Sequence, residues 1–118
     1  MGSFVISKRF SGDYKFEYTS RKGKPIFTSN AYELRMDCEA EAELLRAKFD
    51  SCSFLKYKTA KGKFYFKVVL DDVLVAVSRK YSTVLMAQKG IDEIVKYGAR
   101  AEILDFAASE VLFDDWEG

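Results

Sequence analysis

The chain has 118 residues, 48% of them apolar and 15% aromatic, which suits one globular domain and excludes a disordered chain. It contains no histidine. That excludes Ser-His-Asp and Cys-His catalysis, His-bearing metal sites and the usual general base near neutral pH. Net charge is +1, with an asymmetry inside it: residues 1–100 hold all 19 bases against 12 acids, while residues 101–118 hold 6 acids and no base.

No apolar run approaches the roughly 20 residues of a membrane helix, and no secretory leader pattern opens the chain. Met1-Gly2-Ser3-Phe4-Val5-Ile6 starts like a myristoylation site, but Ile6 stands where Ser or Thr is needed. The expected location is the cytoplasm. Cys38 and Cys52 form no Cys-x-x-Cys pair; a disulfide between them is one reading, and a reduced cytosolic pair is the favoured one.

In chain order, Phe4–Lys8 alternates as a short strand. Tyr14, Phe16 and Tyr18 alternate with Lys15, Glu17 and Thr19 as a second, and Ile26–Ser29 returns after Arg21-Lys-Gly-Lys-Pro25. Leu34, Cys38, Ala42, Leu45 and Phe49 then form a helical stripe, with Glu33 as a weak cap. The pattern repeats. Phe54–Lys58 is a strand; Phe64, Phe66, Val68 and Leu70 alternate with Tyr65, Lys67 and Val69; Val73–Ser78 returns after Asp71-Asp72. Val84, Ala87, Ile91, Ile94 and Val95 form the second stripe, with Ser82 as N-cap and Gly98 as stop. A last strand is expected over Ala101–Phe106.

The two runs align residue by residue. Gly12, Tyr14, Phe16 and Tyr18 fall on Gly62, Phe64, Phe66 and Val68 at an offset of 50; Ile26, Ser29 and Tyr32 fall on Val75, Ser78 and Tyr81 at 49. The lost residue lies in a turn, where length changes are tolerated. The expected fold is α+β: two tandem β-β-β-α units (about 4–50 and 54–106, within a single domain 1–106) that form one antiparallel sheet with two helices packed on one face, pseudo-twofold symmetric. Residues 107–118 make an acidic-aromatic C-terminal tail.

The Gly-x-Phe/Tyr-x-Phe strand, the Ser-x-x-Tyr step and the Ala-x-x-Gly-Ile helix resemble the repeat of YegP-like proteins. Gly62, Phe64, Phe66, Ser78, Tyr81, Ala87, Gly90 and Ile91 carry the closer match. The first copy keeps Gly12, Tyr14, Phe16, Ser29 and Tyr32, and has Glu41-Ala42 in place of Gly-Ile. The resemblance implies the β-β-β-α architecture and brings no established activity.

Two stretches stand out as candidate interaction surface. Lys56, Lys58, Lys61, Lys63 and Lys67 lie in one basic and aromatic stretch with Tyr57 and Tyr65, the rings expected to be free. Lys15, Glu17, Tyr65, Lys67 and Val69 are expected to line a mixed open sheet face with Val5 nearby. Stacked bases on rings and ammonium groups on phosphates make single-stranded nucleic-acid binding one reading; a protein-binding face or a solvated face is the other. In the tail, Leu112, Phe113 and Trp116 are too apolar for a simple disordered end; the readings are that it folds back on its own sheet, docks on a partner, or frays. Arg21-Lys22-Gly23-Lys24 reads as a charged turn, and Glu39, Glu41 and Glu43 with Arg35 and Arg46 as a solvated helix face. With no nucleophile beside a base, no metal cluster and no cofactor loop, the expectation is a non-enzymatic binding module without cofactor, acting on a protein partner or forming a homodimer, with no membrane contact.

Overall fold

A computed structural model describes residues 2–107. Seven strands form one sheet: β1 (Ser3–Lys8), β2 (Tyr14–Thr19), β3 (Pro25–Ser29), β4 (Ser53–Lys58), β5 (Phe64–Leu70), β6 (Val73–Ser78) and β7 (Glu102–Asp105). Their spatial order is β4-β5-β6-β3-β2-β1-β7. Helices α1 (Arg35–Ala47) and α2 (Val84–Tyr97) cover one face, and each continues into a 3-10 turn, Phe49–Ser51 and Gly98–Arg100.

Alternation in the strands decides what is buried. Phe4 and Ile6 of β1, Phe16 and Tyr18 of β2, and Phe66, Val68 and Leu70 of β5 point to the helices. They meet Cys38, Ala42 and Leu45 of α1 and Ala87, Ile91 and Ile94 of α2 in one core. Phe4 is its centre, tilted or edge-on to Phe16, Tyr18 and Phe27 and stacked on Phe49 at 5.7 Å.

The segments β1-β2-β3 and β4-β5-β6 share several local features. Each opening hairpin closes on a glycine with positive φ, Gly12 at 96° and Gly62 at 83°. Each returning strand carries an irregularity at the equivalent place: Thr19 pairs with Pro25 and Val69 with Leu74, so Ile26 and Val75 are the extra residues. The bulge breaks the alternation, and Ile26-Phe27 and Val75-Ala76 are buried as consecutive pairs. Where the two segments meet, Asn30 N donates to Val75 O at 3.1 Å and Arg79 N to Ile26 O at 2.9 Å. The unequal turns are explained by geometry. Asp71 and Asp72 both have positive φ (52° and 63°), as a two-residue hairpin requires, whereas the β2–β3 turn is longer and uses Gly23 at 84°.

Beyond the bulges a backbone donor in each half needs another partner. Ser29 Oγ accepts from Phe16 N at 2.9 Å, and Ser78 Oγ from Phe66 N at 2.8 Å. The two hydroxyls then donate to Asn30 O and Arg79 O. This explains the recurring serine. Ser78→Ala leaves the Phe66 N–H buried and unpaired, and should cost about 1–3 kcal/mol in urea unfolding with an unchanged m-value. Ser29→Ala should cost less, because its hydrogen bond is only partly buried.

Several expectations need correction. The sheet is mixed rather than wholly antiparallel: β7 runs parallel to β1, with Phe4 opposite Ile103. It lies there because the chain leaves α2 under the sheet and emerges at the far edge. Ser82 does not cap α2; the Thr83 hydroxyl accepts from Met86 N at 3.1 Å, one residue later. Leu34, Val84 and Val95 are exposed ends of their stripes rather than core. Arg35 and Arg46 are not merely solvated. Arg35 pairs with Asp105 of β7 as well as Glu39, and Arg46 donates to Ala101 O at 3.1 Å, so α1 holds the crossing strand.

Candidate interaction surface

The lysine-rich stretch occupies one end of the sheet, and the register of β4 against β5 divides it. Cross-strand partners share a face. Lys56 lies opposite Phe66 and Lys58 opposite Phe64, so both lysines stand on the helix side of the sheet. Leu55 lies opposite Lys67 and Tyr57 opposite Tyr65, on the open side. Lys61 and Lys63 belong to the hairpin turn between the strands. The five lysines of the stretch are therefore divided between the two faces and the turn. A strand's period of two sends neighbouring lysines to opposite faces.

Tyr65 is also less free than expected. Its ring stacks on Tyr57 with centroids 5.4 Å apart, and Lys67 Nζ lies 4.7 Å above the Tyr57 ring. On the other face Lys58 Nζ lies 5.8 Å from the Phe64 centroid. Tyr57 and Leu55 are both substantially exposed, and Leu55 enlarges the patch beyond the residues picked from sequence. Their signal was present in the β4 alternation, but not the fact that β4 is an outermost strand.

The rest of the open face is mixed: Val5, Val69 and Val77 stand on it beside polar groups that pair with one another. Lys15 pairs with Glu17 at 3.6 Å, and Thr28 Oγ1 donates to Glu17 at 3.4 Å. The two sheet edges also differ. β7 covers β1, whereas β4 pairs only with β5 among the described residues. An uncovered strand presents a row of unpaired N–H and C=O groups, a template for another strand. Residues 53–70 carry five lysines and no acid. The Ser53 end of β4 lies near Asp50 and Asp71, so the positive charge is concentrated at Lys56, Lys58 and the hairpin turn. Leu112, Phe113 and Trp116 lie outside the described residues.

A second concave feature, of about 490 Å³, lies between the β2–β3 turn and α2, lined by Ser20, Arg21, Lys22, Glu93 and Tyr97. Its charges are mixed, with no nucleophile paired to a base. Both cysteines are free. Burial, with Asp105 and Glu39 nearby, pushes the Cys38 thiol up to about 12, and burial with Asp50 and Asp71 pushes Cys52 to about 11. Neither is an activated thiolate. Burial, with Glu93 adding to it, raises Tyr18 to about 12, and its hydroxyl has no hydrogen-bond partner among the described residues.

These shifts predict an alkaline weakness. Cys38 and Tyr18 would ionise near 9.0 and 10.0 when unfolded, but stay protonated in the fold until about 12. The folded state therefore binds more protons above pH 9. Stability should fall with rising pH from there to about 12, by up to about 1.4 kcal/mol per pH unit for each group. Urea midpoints measured at rising pH check this, and Cys38→Ala should flatten the first part of the decline.

The fold and its surface define a small α+β domain with a half-open sheet and no assembled catalytic group among the described residues. No family model matches the sequence. The chain is 26% identical over 106 residues to the UPF0339 protein YegP of Escherichia coli K12, covering 88% of this chain and 96% of that protein. It is 24% identical over 107 residues to YegP of Yersinia pestis, covering 89% and 96%. Two solution structures share its fold. The E. coli protein of unknown function yegP matches with a TM-score of 0.73 at 23% identity, over 88% of this chain and 91% of that one. A UPF0339 protein of Shewanella oneidensis matches with 0.75 at 21% identity, over 91% and 92%. The chain is thus similar in sequence and in fold to the YegP-like proteins, whose function is unknown.

Proposed function

We propose that this chain is a non-enzymatic protein-binding module built from two copies of a β-β-β-α unit, and that it receives an extended, acidic strand of a partner along β4. The observation that carries the reading is the contrast between the two sheet edges: β1 is covered by β7, while β4 pairs only with β5 among the described residues and carries Lys56 and Lys58. Main-chain bonds to the edge would supply affinity, and the alternating Leu55/Tyr57 and Lys56/Lys58 faces would supply specificity. The matched serine bonds, glycine turns and bulges of the two halves support the duplication. The absence of histidine and the two raised thiols support the non-enzymatic reading. Free cysteines suit a reducing cytoplasm.

Single-stranded nucleic-acid binding has weaker support, because the lysines are split between two faces and Tyr65 already stacks on Tyr57. One titration separates the two. A designed peptide alternating Val with Asp or Glu should shift the backbone amide signals of residues 53–58 and leave those of β1 and β7 in place. Unchanged spectra at saturating peptide would sink the reading. If instead only an oligothymidylate binds, with affinity falling steeply as salt rises, the nucleic-acid reading replaces it.

A further inference from the structure

We infer that the strand received by β4 is the C-terminal tail of a second copy of this chain, residues 112–117, added parallel to β4. The inference rests on the binding reading above and names its occupant. The opposite edge supplies the template. There β7 lies parallel to β1 with Ile103 beside Phe4, and Phe54 of β4 is the equivalent of Phe4 at the repeat offset.

Set the tail in the same way, with Phe113 beside Phe54, and the register brings complementary chemistry together. Asp115 falls beside Lys56 and Glu117 beside Lys58 on the helix side. On the open side Trp116 falls beside Tyr57. Asp114 falls beside Leu55, whose cross-strand neighbour is Lys67. A shift by one residue would send Asp115 and Glu117 to the other face, so the match is specific to this phase. Residues 108–118 hold four acids and no base, against five lysines and no acid in residues 53–70.

The tail cannot reach its own β4. The two edges of the sheet are separated by six inter-strand steps, about 29 Å. The seven residues from Asp105 to Leu112 span at most about 25 Å when fully extended. The donor must be another molecule. Pairing of β4 with a second β4 is opposed, since it would bring two sets of Lys56 and Lys58 together. Each copy thus offers one donor and one acceptor, a head-to-tail contact that closes into a ring or grows as a chain.

The test uses the full chain. Light scattering should show association at low salt that weakens as salt rises. Lys56→Glu with Lys58→Glu, and separately Asp115→Lys with Glu117→Lys, should each weaken it roughly a hundredfold, because like charges are then juxtaposed. Mixing the two variants should restore association, since each tail then meets an edge of opposite charge. Trp116 is the only tryptophan, so its emission reports the event directly. A full chain that remains monomeric at all concentrations, or variants whose mixture stays monomeric, would overturn the inference. If the designed acidic peptide still shifts the amides of residues 53–58 in that case, the edge is a binding site and only its occupant was misassigned.

Discussion

Phe66→Ala should destabilise the protein by about 3–5 kcal/mol, a large part of the roughly 5–15 kcal/mol that holds a domain of this size together. Phe66 is fully buried in β5. Its ring meets Phe54 at 6.0 Å edge-on and Tyr81 at 6.5 Å in a stacked pair, and α2 passes so close that a Cβ on Gly90 would lie 3.5 Å from it. Truncation therefore opens a hole lined by two rings and a helix backbone, none of which can collapse into it cheaply. Phe64, two residues earlier, is only partly buried. Phe64→Ala should cost distinctly less. Chemical unfolding followed by circular dichroism measures both, and equal losses would mean that the helix face of β5 is not packed as described.

Gly98→Ala should also destabilise, by about 1–3 kcal/mol, although alanine is the better helix former. Gly98 has φ of −59°, an ordinary helical value, so its backbone conformation does not demand glycine. The constraint is space. A Cβ at this position would lie 2.5 and 2.6 Å from the Phe49 ring. That ring is held in place, stacked on Phe4 and edge-on to Tyr18 at 6.3 Å. A methyl group must displace a ring at the middle of the aromatic cluster. Combining Gly98→Ala with Phe49→Leu should recover part of the loss, and the coupling between the two changes measures the clash. Additive losses would place the effect in the backbone instead.

The glycine shows where reading the chain alone stops. As a helix terminator Gly98 was correctly placed, but the reason for it, a ring from residue 49, is a contact between segments half the chain apart. The lysine stretch is similar. Alternation in Phe54–Lys58 and in Phe64–Leu70 was legible because period two follows from strand geometry alone. Which lysine faces which ring depended on the pairing register of β4 with β5, which is a tertiary fact. Asp71-Asp72 was legible as a turn; that it forms the tight hairpin, and so absorbs the change of offset, needed its backbone angles.

What the residues by themselves determined was local and periodic: the strands, the two helical stripes, the serine and glycine positions that match between the halves, and the split between a basic body and an acidic end. What only the tertiary structure decided was the order of strands in space. Neither hydrophobic period nor turn chemistry encodes which strand lies outermost. Packing did so, when the segment after α2 crossed beneath the sheet, was held by Arg35 and Arg46, and covered β1. That placement left β4 as the uncovered edge among the described residues, and with it the surface on which the proposed function rests.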